Sequence, residues 1–61
     1  MSKDQLRQEI DDCYKYLMEC YEPTNYAIDT TLSKMAYYNE CYGVDKEVET
    51  MAKKVFDKYY N

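Results

Sequence analysis

The sequence contains no histidine and no tryptophan, and it has only one glycine, one proline and three cysteines. Without histidine or a Cys-x-x-Cys pair, the usual zinc-binding sets are missing, so we expect no metal and no other cofactor. The cysteines, Cys13, Cys20 and Cys41, are odd in number, and the first two would lie about 10 Å apart along one helix, beyond disulfide reach. We therefore expect reduced thiols, as in cytosolic proteins.

Long apolar segments are absent as well. No run approaches the ~18 residues of a membrane span, and the first residues lack the basic and apolar regions of a signal peptide. Twelve acidic and eight basic side chains give a net charge of −4, which opposes binding to phosphate backbones and anionic lipid. We expect a cytoplasmic protein that neither enters a membrane nor binds nucleic acid non-specifically.

The acidic excess falls on residues 1–23. An acidic helix face of this kind either serves solubility or docks a partner by its charge.

Helix signals divide the chain into three segments, at about residues 3–21, 25–42 and 46–60. Residues typical of helix ends bound these segments: Ser2 with Gln5, Pro23, Thr24 or Asn25, Gly43 and Asp45. The links between segments are short, so the first two helices should form an antiparallel hairpin. The sequence predicts a single all-α domain over residues 1–61, in which a third helix packs on this hairpin.

Each predicted helix has an apolar face with the helical period. The faces consist of Leu6, Ile10, Cys13, Leu17 and Cys20, then Ile28, Leu32, Met35, Asn39 and Tyr42, then Val48, Met51, Ala52, Val55, Phe56 and Tyr59. Asn39 is polar where an apolar residue is expected. It either specifies register or oligomeric state, as a buried asparagine does in helical zippers, or reaches water near the end of the bundle.

The second helix also carries a second stripe, formed by Tyr26, Thr30, Tyr37 and Cys41, nearly opposite its first face. Tyr16 on the first helix likewise points away from the predicted core, as does Tyr60 on the third. We expect Tyr26, Tyr37, Cys41 and Tyr16 to bind a partner. A core below about 70–80 residues stabilises a fold only weakly, so this partner is either another protein or a second copy in a homodimer.

No catalytic motif is present, and the residues predict a non-enzymatic protein-binding module. By type, such small acidic helical proteins are often regulators or inhibitors, including those of phages and mobile elements that block host defence or nucleic-acid enzymes. The alternative is a sequence-specific DNA-binding regulator, because the second and third helices follow a helix-turn-helix outline. Asp45, Glu47 and Glu49 nevertheless crowd the end of the third helix that would approach DNA.

A third possibility comes from Ser33-Lys34-Met35-Ala36-Tyr37, which aligns with the motif Ser-Gln-Glu-Leu-Asp. In this segment the hairpin resembles the small two-helix aspartyl-phosphate phosphatases of sporulation, and that resemblance implies a phosphatase-like enzyme. Only the serine matches and the acidic residues are absent, so the activity is not carried over.

Overall fold

Three helices make up the computed structural model, which describes residues 2–60. Helix α1 spans Lys3–Glu19, α2 spans Asn25–Tyr42 and α3 spans Lys46–Tyr59, and residues 2–60 contain no strand. Each helix contacts the other two. The predicted all-α three-helix fold is confirmed, although α1 ends two residues early because Cys20 has an extended backbone (φ −83°, ψ 133°).

Each helix begins at the capping residue that the sequence predicts. In each case a side-chain oxygen accepts hydrogen bonds from backbone N–H groups of the first turn, which have no partner within the helix. The bonds join Ser2 Oγ to Gln5 N (3.1 Å), Thr24 Oγ1 to Ala27 N (3.1 Å), and Asp45 Oδ1 to Glu47 N (2.8 Å) and Val48 N (3.3 Å). Gly43 ends α2 with φ at +86°, a conformation that side chains disfavour.

The core lies where the three helices meet. Its buried apolar residues are Leu6, Ile10, Leu17, Ile28, Met35, Tyr38, Val48 and Val55. All three cysteines are free; Cys13 and Cys20 are half-buried, and Cys41 is exposed. The predicted faces of α1 and α3 are therefore correct at their centres.

For α2, the sequence predicts the wrong buried face. Thr31 and Tyr38 are buried, whereas Leu32 and Asn39 are only half-buried, so the buried face is rotated by roughly 40° from the predicted one at 100° per residue. Thr31 tolerates burial because its hydroxyl donates to the Ala27 carbonyl at 2.8 Å. Its polar group is thereby satisfied within the helix, and the side chain packs like a small apolar one.

The sequence pattern also predicts three aromatic residues on or beside the apolar faces that lie outside the core of the structure. Tyr21 is 86% exposed because α1 has already ended, and Phe56 is 50% exposed at the flank of a face wider than two neighbouring helices can cover. Tyr42, the last residue of α2, is 41% exposed and contacts the Tyr38 ring.

The end of α3 holds the end of α1. Lys58 Nζ donates to the carbonyl oxygens of Leu17 (3.2 Å) and Met18 (2.9 Å). The Tyr59 hydroxyl donates to the carbonyls of Leu17 and Cys20. A cation and a hydroxyl thus satisfy carbonyls that the last turn of α1 leaves unpaired, and the cation also lies favourably at the negative end of the helix dipole.

Candidate protein-binding groove

Three of the four residues predicted to bind a partner lie along one groove between α1 and α2. Tyr26 and Tyr37 line a cavity of about 560 Å³, and Tyr16 and Tyr26 line an adjoining one of about 300 Å³. We call the two cavities together the tyrosine groove. Its walls include Leu6, Glu9, Asp12, Cys13 and Tyr16 of α1, and Tyr26, Asp29, Thr30, Lys34 and Tyr37 of α2.

The groove lies on the side of the hairpin that α3 leaves open. Glu9 of α1 pairs with Lys34 of α2 across it. Leu6 and Tyr37 line the larger cavity, and Tyr16 lines the smaller one with Tyr26. None of the residues that line it belongs to α3, although Asp29 also borders the groove between α2 and α3 and accepts a hydrogen bond from Tyr60 at the end of α3. Three residues of the second stripe, Tyr26, Thr30 and Tyr37, therefore share the groove with α1 residues, although the sequence pattern places them opposite the core.

The three tyrosines remain accessible in spite of the neighbouring helix. Tyr16, Tyr26 and Tyr37 are 55%, 80% and 56% exposed. A phenol ring offers apolar area with a polar tip and loses little side-chain entropy on binding. The groove thus presents aromatic surface from both of its walls.

An ion pair crosses the groove between its two ends. Lys34 Nζ lies 2.8 Å from Glu9 Oε1, and both side chains are about one-third exposed. Hydrogen bonding to Glu9 is the main cause that raises the pKa of Lys34. The pair connects the two walls. Because each charge already has a partner, Glu9 and Lys34 are less available than unpaired charged residues to bind another protein.

Cys41 accompanies Tyr37 without lining the groove. Hydrogen bonding with Cys41 chiefly raises the pKa of the Tyr37 phenol, and Cys20 has the same effect on Tyr16. Each pair belongs to a copy of the pattern Tyr-x-x-Glu-Cys-Tyr, at residues 16–21 and 37–42, a signal that could have linked Tyr16 with Tyr37 from the sequence.

The groove carries a net negative charge. Its ionisable lining residues with formal charge at neutral pH are Glu9, Asp12, Asp29 and Lys34, a net charge of −2. Asp12 accepts a hydrogen bond from Gln8 and Asp29 accepts one from Tyr60, both at 3.0 Å. Neither acid is paired with a cation in residues 2–60, so both carboxylates can attract one from outside.

Asn39 lies in a different groove, between α2 and α3. It lines this groove with Ala36, Ala52 and Phe56. Its Oδ1 atom is buried and receives no hydrogen bond from the described part of the chain. A role in register or oligomeric state stays a prediction.

Within residues 2–60, no three His, Cys, Asp or Glu side chains lie close enough together to hold a metal ion. None of the three described helices combines the length and apolar character needed to cross a bilayer. Comparison with protein-family models, curated proteins and solved structures finds no match to this chain. The interpretation of the groove therefore depends on its own geometry and chemistry.

Proposed function

We propose that this chain is a non-enzymatic protein-binding module, a small regulator or inhibitor that places its tyrosine groove against a partner protein. The observation that supports it is the position of Tyr16, Tyr26 and Tyr37, which are exposed and line adjoining cavities on one side of the hairpin. Tyrosines in such a setting are typical binding hot spots. The three free cysteines support a reducing, cytoplasmic compartment.

Tyr37 is the tyrosine best suited to separate binding from folding. It lies at the Leu6 end of the groove and is more than half exposed, so Tyr37→Ala should leave the helical circular dichroism and the melting temperature nearly unchanged. If Tyr37 is a hot spot, the same change should weaken partner binding about 30-fold or more. A Tyr37→Ala protein that unfolds would show instead that Tyr37 supports the core.

Site-specific photo-crosslinking in the source cell tests where the partner lies. The crosslinking residue p-benzoylphenylalanine replaces Tyr16, Tyr26 or Tyr37 in turn. The matched control position is Lys54, an exposed residue of α3. We expect one discrete heavier adduct from each groove position and none from position 54. Equal adducts from position 54, or none from the groove, would contradict the proposal.

The same experiment reports on the homodimer expected from the small core, which stays a prediction. An adduct with twice the mass of the chain would show that a second copy occupies the groove. An adduct of any other mass identifies a heterologous partner.

DNA binding through α3 is the competing proposal, and the charges of the first turn of α3 oppose it. Asp45, Glu47 and Glu49 lie at this end, and Glu47 is bonded to Arg7 at 2.8 Å. Approaching phosphates would meet these carboxylates. Measured affinity for duplex DNA that falls steeply with salt would support the DNA-binding alternative over the protein-binding one.

A further inference from the structure

The shape of the tyrosine groove fits one kind of occupant. Leu6 and Tyr16 mark its ends on α1, and Tyr37 and Tyr26 mark them on α2. Ten or eleven residues separate the ends of each wall, a distance of about 15 Å at the helical rise. A trough of this length between two antiparallel helices accommodates roughly three turns of a further helix, which would complete a four-helix arrangement.

The charge of the groove restricts the occupant further. Asp12 lies on the α1 wall and Asp29 on the α2 wall, and no cation of residues 2–60 pairs with either carboxylate. A second copy docked groove to groove would bring two surfaces of net charge −2 together, which is unfavourable. Anionic lipid and nucleic acid are repelled for the same reason.

We infer that the tyrosine groove binds an amphipathic helix that carries lysine or arginine on both edges of its apolar face, and this inference rests on the proposed function. The apolar face contacts the exposed rings of Tyr16, Tyr26 and Tyr37, while the cations meet Asp12 on one wall and Asp29 on the other. Glu9 contributes less, because Lys34 already holds it across the groove. The partner is thus a protein segment whose helix is apolar on one side and basic at its margins.

Selection of peptides tests the chemistry of the occupant without knowledge of the natural partner. The probe is a random library of linear peptides of about 16 residues, long enough for three to four helical turns, displayed and selected on the folded wild-type protein. We expect enriched sequences with apolar residues at positions i, i+3, i+4 and i+7 and a net positive charge. An enriched pool that is neutral or acidic, or no enrichment at all, would overturn the inference.

Two charge variants of equal net charge then locate the effect. For a synthesised peptide from the pool, the double variant Asp12→Asn, Asp29→Asn should lose about 10-fold or more in affinity at low salt. The control variant Glu49→Gln, Asp57→Asn changes the net charge by the same amount at two exposed positions of α3, and it should lose far less affinity for the peptide. Equal losses in the two variants would show that only the overall charge of the protein matters, and would refute the assignment of the cations to Asp12 and Asp29.

The tyrosine variant separates failure of this inference from failure of the proposed function. If the selected peptides are not basic but lose affinity on Tyr37→Ala, the groove binds protein and only the inferred charge of its partner is wrong. If the selected peptides bind wild type and Tyr37→Ala equally, the groove is not the binding surface and the proposed function fails with it.

Discussion

Leu17→Ala should remove most of the stability of this domain. The Leu17 side chain is completely buried, and the same residue provides the carbonyl that Lys58 and Tyr59 bind from α3. Truncating a buried leucine to alanine costs about 2–5 kcal/mol, through lost burial and the cavity left behind. A chain of 61 residues has a total stability of about 3–9 kcal/mol at roughly 0.05–0.15 kcal/mol per residue.

The assay is urea unfolding followed by far-UV circular dichroism, with Tyr21→Ala as the control. Tyr21 directly follows Cys20, the last residue of the predicted α1 face, but its side chain is 86% exposed. Truncating it should therefore change the unfolding midpoint little. We expect Leu17→Ala to be partly unfolded without urea. A Leu17→Ala midpoint equal to that of the control would show that the core does not lie where the three helices meet.

Three further predictions concern polar groups. Asn39→Leu should raise the melting temperature, because the unpaired buried Oδ1 costs about 1–3 kcal/mol; a lower melting temperature would show that the amide is satisfied. The bonds from Val48 and a second amide lower the pKa of Asp45, so its stabilisation is complete above the unfolded pKa of about 3.9 and lost as the pH falls through the folded value. Acid titration should therefore destabilise Asp45→Asn less than wild type. Tyr59→Phe should destabilise by about 0.5–1.5 kcal/mol through its lost bonds to α1, and Tyr60→Phe, which loses only an exposed bond, should change less.

The three helices and all of their ends except that of α1 could be predicted to within one residue, because the signals are local. Ser2, Thr24, Asp45 and Gly43 act on backbone groups within a few residues of themselves, and the structure confirms each position. The faces of α1 and α3 could also be predicted, since apolar residues such as Ile10 and the surrounding charged residues separate clearly around the helix.

The face of α2 could not be predicted in the same way. Its apolar residues surround most of the helix, so the pattern alone does not determine which of them face the core. Thr31 and Tyr38 become core residues because their hydroxyls find partners, the Ala27 carbonyl and, at 3.5 Å, Asp45 Oδ2. The partner of Tyr38 depends on the folded geometry, whereas that of Thr31 lies within α2. A count of apolar residues nevertheless excludes a threonine that the fold can bury.

The same rotation of α2 also explains the groove. Turning the helix by roughly 40° brings Thr31 into the core, and it necessarily carries Tyr26 and Tyr37, on the same rigid helix, toward α1. There α1 provides the second wall of the cavities that these tyrosines line. Tyr16 and Asp12 supply that wall, ten or more residues away in sequence. The register of the core and the existence of the groove are therefore a single consequence of how α2 packs.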